Sequence, residues 1–222
     1  MPDALRPTPT IDCDHPAVIS FAESSAAGAQ DARERAVKLY YATRDRIRYD
    51  PYSLLMTVPG LRASATIEAG HGWCVPKAVL LAACCRALGI PARLGFADVK
   101  NHLSTERLRK AMSTDVFYWH GYTAIQLDGR WLKATPAFNI ELCEKFRIKP
   151  LEFDGTEDSI YHPFDLQGRK HMEYLRFHGE YDDLPLDKMM ATYARHYSQT
   201  VFDTSSGDFD LEVDEETRNQ VR

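Results

Sequence analysis

Apolar positions change their spacing along this chain, and the changes divide it into elements. In "DARERAVKLYYATRDRIRYD", residues Ala36, Val37, Tyr40, Tyr41 and Ile47 recur at helical spacing. Asp31, followed three residues later by Glu34, has the spacing of a helix-starting capping box. From Pro51 to Gly70 the period lapses, and Pro51, Pro59 and Gly60 mark loop and turns. From Val75 to about Leu88 nearly every position is apolar, which predicts a buried helix; Pro76 is tolerated in its first turn and Gly89 stops it. "ARLGFADV" then alternates like a strand, and "FYWHGYTAIQLDGRWLKATPAF" reads as two strands joined at Asp128-Gly129, a tight-hairpin dipeptide. Beyond Asn139 turn residues, aromatics and acids dominate, with a last helix expected from Leu186 to about Tyr197.

This order predicts one α+β domain over 1–222, with a core at about 30–140, an extension at 141–200 that wraps or caps it, and an acidic, flexible tail at 201–222. A 44% hydrophobic and 27% charged composition suits a packed core. The net charge of −5 leaves no broad basic surface, so nucleic acid is not an expected partner. Arg86 interrupts the most apolar run well short of membrane-span length, so no membrane partner is expected either. The N-terminus lacks the pattern of a secretory signal, and a cytoplasmic location is expected. Five cysteines without regular spacing point to free thiols. No C-x-x-C or H-E-x-x-H pattern occurs, so neither a metal nor another cofactor is expected.

Cys74 stands where the buried helix begins. Unpaired N–H groups and the helix dipole there favour a thiolate, and the same N–H groups could stabilise an oxyanion. Cys84 and Cys85 lie ten and eleven residues further along the same helix, roughly 15 Å away at 1.5 Å per residue, and read as core thiols. Cys13 and Cys143 have no such setting. A base is required, and His120, on an aromatic, strand-like segment, is held as a rigid imidazole should be. His71 is within reach of Cys74 by sequence, whereas His102, His162, His171, His178 and His196 read as surface residues or hydrogen-bonding partners. Trp73 and Trp119 read as core. Phe153, Asp154, Tyr161, Asp182 and Asp183 read as ordinary packing and surface.

The blocks "GWCVPKAVLLAACCRALGIPAR", "WHGYTAIQL" and "RWLKATPAF", preceded by "RDRIRYDPY", resemble the transglutaminase-like superfamily over about Tyr40 to Asn139. The resemblance implies a papain-like fold, with the Cys74 helix packed on a mainly antiparallel sheet. It also implies acyl transfer or amide hydrolysis through a thioester, with Cys74 attacking and His120 carrying its proton. A peptide, a protein or a small amide would be the substrate. Where the family has an Asp that orients the histidine, in "W-x-x-x-D-P-T", this chain has "W-L-K-A-T-P-A" and offers Thr135. A hydroxyl can accept a hydrogen bond from the ring but brings no charge. Asn139, four residues on, is the other neutral candidate for that role. The loss of the Asp sets a second reading beside the enzyme: a domain that keeps the fold as a binding or scaffold module.

Overall fold

The computed structural model describes residues 3–101, 104–161, 168, 172–198 and 207–219. Helix α1 (Pro16–Ser25) begins on His15, whose ring accepts the Ala17 N–H. Helix α2 (Ala32–Arg46) starts as expected: the Asp31 side chain accepts the Glu34 N–H, and the Glu34 carboxylate accepts the Gln30 N–H. The stretch read as loop and turns folds further, into β1 (Arg48–Tyr49), α3 (Ala63–Ala69) and β2 (His71–Gly72), with β1 and β2 paired in parallel. Then come α4 (Cys74–Ala87), β3 (Ala92–Asn101), α5 (Glu106–Met112), β4 (Val116–Leu127), β5 (Arg130–Ala134), α6 (Ile140–Phe146), β6 (Met172–Tyr181), α7 (Leu186–His196) and α8 (Phe209–Asn219).

Helix α4 is the axis of the core. It is buried on every side from Cys74 to Arg86, between the sheet and helices α1, α2 and α3. An apolar sequence without a polar stripe requires such a position. Its two cations are satisfied by backbone carbonyls. Lys77 Nζ donates to Arg44 O at 2.9 Å and to Ile47 O, closing the C-terminal end of α2. Arg86 donates to Ala92 O, Arg6 O and Asp182 O at 2.9, 2.6 and 2.7 Å, joining the start of β3, the N-terminal segment and the turn after β6.

The main sheet is antiparallel throughout, in the order β5-β4-β3-β6. Its hairpin turns at Asp128 and Gly129, whose φ values of 49° and 78° are those of the tight turn expected there. Thr123 Oγ1 on β4 donates to Ala78 O on α4 at 2.8 Å, fixing the helix on the sheet. The extension after Asn139 does more than wrap the core: β6 adds the fourth strand, beside β3.

The expectation of a flexible acidic tail is corrected over its described part. Residues Phe209–Asn219 form α8, with Phe209 and Val213 buried. Phe209 packs edge-on against Tyr49 and Tyr52, at ring distances of 5.8 and 5.6 Å. The acids that suggested a solvated tail meet cations of the core: Asp210 with Arg48 and Lys145, Asp214 with Lys145, and Glu212 with Arg107.

Candidate active site

The start of α4 and the middle of β4 meet at one apolar pocket. Cys74 and His120 both line it, and Tyr49, Trp73, Leu108, Met112, Tyr193 and Tyr197 form much of the rest. The cavity is about 50 Å³. Cys74 and His120 are 5% and 4% exposed, so the pair lies beneath the surface. Helix α7 and the residue after it form one cover: the Tyr197 hydroxyl accepts the Tyr118 N–H at 2.7 Å, and the His196 ring stacks on Tyr118 at 4.3 Å.

Local backbone chemistry explains the position of the thiol. Trp73, the residue before α4, has no capping side chain, so the first amides of the helix are left to other acceptors. The N–H groups of Cys74, Val75 and Gly121 lie against the sulfur and lower its pKa. Burial acts more strongly in the opposite direction and pushes it up to about 12. The expectation of a lowered pKa at this helix start is therefore corrected: the desolvation of a fully enclosed sulfur outweighs three amide dipoles. Gly121 allows the approach of β4, since a Cβ there would stand 3.1 Å from Val75 Cα and 3.3 Å from Cys74 O. A glycine inside the strand pattern "WHGYTA" is the sequence signal for such a contact.

The other cysteines remain apart from this pocket, and Cys13, Cys84, Cys85 and Cys143 are buried free thiols. His71 turns toward Asp50, with Nδ1 3.4 Å from the carboxylate. Of the two roles expected for it, His178 takes that of a hydrogen-bonding partner: it lies in the sheet against Asp98 and Trp119. His102, His162 and His171 lie outside the described residues.

Beside His120 stands Tyr161, buried, with ring centroids 6.0 Å apart. Tyr161 was read from sequence as packing, and its neighbours tie it in place: its hydroxyl accepts the Phe138 N–H at 3.1 Å and its N–H donates to the Tyr174 hydroxyl at 3.3 Å. Thr135, 1% exposed, lies near that same Tyr174 hydroxyl, whose pKa burial raises against the smaller lowering effects of the Tyr161 N–H and the Thr135 hydroxyl. Its N–H is held by Ser159 O at 3.0 Å. Asn139 is committed elsewhere, accepting the Tyr49 N–H at 3.0 Å and donating to Glu141 at 2.7 Å. Of the other residues set aside as packing, Phe153 packs on Tyr40, Asp182 pairs with Arg93 and Asp183 accepts from Thr8, all outside the pocket.

The family model of the transglutaminase-like superfamily matches residues 19–136, more than half of the chain, including Cys74, His120 and Thr135. The chain belongs to this superfamily. Membership agrees with the α+β, papain-like architecture and supports a cysteine-dependent kind of enzyme. No curated protein matches the chain. Solved structures similar to it include a candidate cysteine protease from Cytophaga hutchinsonii, with 20% identity and a TM-score of 0.45, covering 60% of this chain and 40% of that one. A candidate protease from Parabacteroides distasonis has 15% identity and a TM-score of 0.38, over 53% and 22% of the two chains. The arylamine N-acetyltransferase from Mycobacterium abscessus has 14% identity and a TM-score of 0.42, over 60% and 46%. The matched part of each of these structures is thus less than half of its length.

Proposed function

We propose that the protein transfers an acyl group through a thioester on Cys74, with His120 as the proton carrier. The observation that carries this reading is the convergence of Cys74 and His120, from a helix and a strand, on one enclosed pocket, with three backbone N–H groups at the sulfur. Because burial keeps the thiol protonated, its proton passes to His120 as sulfur attacks the acyl carbon. The carbon–leaving-group bond then breaks, and His120 returns the proton to the departing amine or alcohol. Water or an amine next attacks the thioester, losing its own proton to His120, and the thiol is restored. The amides beside the sulfur are placed to donate to the oxyanion of each tetrahedral intermediate.

The pocket also bears on the substrate. Among the described residues its lining carries no lysine, arginine, aspartate or glutamate, so the acyl group it suits is compact and uncharged. Such a group fits a small amide or ester, or the acyl part of an uncharged side chain of a peptide or protein.

Turnover of short p-nitrophenyl esters tests this reading. Cys74→Ala should abolish it and His120→Ala should lower kcat by roughly 10²-fold or more. Equal rates in Cys74→Ala and the wild type would refute the mechanism. The rival reading, a binding module, is favoured by the elevated thiol pKa and by Thr135 in place of a carboxylate, and it requires that no ester, amide or thioester be turned over at all.

A further inference from the structure

Strand β4 is irregular at the two residues before His120. Its register with β3 runs through Ala97–His120 and resumes at Val99–Phe117, so Tyr118 and Trp119 together face one residue, Asp98. Strand β6 is irregular at the same level: the pairing passes from Phe96–Gly179 to Ala97–Phe177, leaving His178 as an extra residue. Two bulges therefore flank β3 on opposite sides, and three side chains join them. Asp98 Oδ1 accepts the Trp119 N–H at 3.1 Å and lies 2.7 Å from His178 Nε2. The His178 ring stacks on the Trp119 indole at 4.1 Å, with the planes 6° apart. The indole N–H donates to Thr192 Oγ1 on α7 at 3.0 Å. Trp119 has a φ of 58°, a left-handed backbone that a bulky residue keeps only when its surroundings impose it.

We propose that Asp98 and His178 are positioning residues for His120, which rests on the acyl-transfer reading above. A bulge removes a strand N–H from the ladder and re-aims the side chains beyond it. Here the buried Asp98 carboxylate supplies the acceptor that the Trp119 N–H would otherwise lack, and His178 clamps the indole from its other side. Without the carboxylate, the favourable course for β4 is to return Trp119 to an extended backbone and recover a ladder hydrogen bond. A slip of one residue exchanges the two faces of a strand, and His120, the next residue, would turn away from Cys74. The pair thus acts on the imidazole through one peptide unit and touches neither substrate nor sulfur.

The test is the rate at which iodoacetamide alkylates Cys74, located by peptide mass spectrometry, over roughly pH 5 to 9, where an imidazole titrates. Asp98→Ala should lower the rate by about tenfold at neutral pH and give the profile of His120→Ala, and the double variant should be no slower than His120→Ala alone. Asp98→Asn keeps an acceptor for the Trp119 N–H and should restore the rate to within about threefold of wild type. If Asp98→Ala does not fold, His178→Phe, which keeps the stack and loses the hydrogen bond, should show a smaller decrease with the same absence of additivity. A wild-type profile in folded Asp98→Ala or His178→Phe, or losses that add to that of His120→Ala, would overturn the proposal. A wild-type profile in His120→Ala would instead overturn the Cys74–His120 reading on which it rests.

Discussion

At the scale of single residues, burial decides more than charge pairing does. Cys74 has the amides of a helix start and of Gly121 around its sulfur, yet enclosure holds its proton, and so the proposed mechanism requires His120, which lines the same pocket, to receive that proton during attack. Lys77, three residues along the same helix, shows the converse. Enclosure lowers its pKa to about 7, although Asp45 opposes the shift. The unfolded chain, with an ordinary lysine near 10.4, holds this proton when the folded chain has given it up, so Lys77 alone makes stability rise with pH from about 7 upward. Its side chain also satisfies Arg44 O and Ile47 O. Lys77→Ala is therefore expected to cost roughly 2–4 kcal/mol in urea unfolding, from the cavity and the two carbonyls left without their donor. No change in the unfolding midpoint would contradict this account of the residue.

At the scale of elements, the site depends on how closely α4 approaches β4. A Cβ at residue 121 would press on Val75 and Cys74 at once, so Gly121→Ala should separate the two elements that carry the proposed Cys74–His120 pair. The expected cost is roughly 1–3 kcal/mol in stability, with a larger fractional loss of ester turnover than of folded protein. Turnover reduced only in proportion to the folded fraction would show that the approach has no catalytic weight. Elements with long, uniform patterns were legible in sequence: the capped α2, the wholly apolar α4, and the β4–β5 hairpin with its Asp128-Gly129 turn. Helices α3, α5 and α6, of seven residues each, were not, because helices so short take their stability from the surfaces they pack on rather than from their own sequence. Strand β6 was hidden for another reason: its bulges at Leu175 and His178 break the period of two that marks a strand. The same applies to the site. Cys74 and His120 stood out by local context as candidates, whereas Tyr193 and Tyr197 reach the pocket, and Tyr161 the His120 ring, only through tertiary folding of the extension.

At the scale of the whole molecule, both ends of the described chain are tied to the core. Helix α8 joins α5, α6 and the β1 segment through Arg107, Lys145 and Arg48, while Arg86 gathers the N-terminal segment to the sheet. The resulting interior holds many weak acids in their neutral forms. Burial pushes the pKa of Cys74, Cys85 and Cys143 up to about 12, and raises those of Cys13, Cys84, Tyr40, Tyr49, Tyr161 and Tyr193 as well. Unfolded cysteines ionise near 8.5 and tyrosines near 10, so above about pH 8.5 the folded chain holds more protons than the unfolded one. Their contribution to stability is complete below that pH and is lost as the pH rises toward 12, and these groups outnumber Lys77, whose effect has the opposite sign. The melting temperature followed by circular dichroism should therefore fall steadily above about pH 9, and a flat alkaline limb would contradict the buried, protonated interior. The central claim is that an acyl group passes through Cys74, and rapid-quench mass spectrometry of the enzyme mixed with a short p-nitrophenyl ester tests it most directly. A transient acyl adduct should map to the peptide containing Cys74, and it should accumulate and decay more slowly in His120→Ala. Turnover with no adduct on that peptide, or with the acyl group on Cys13, Cys84, Cys85 or Cys143, would contradict the account.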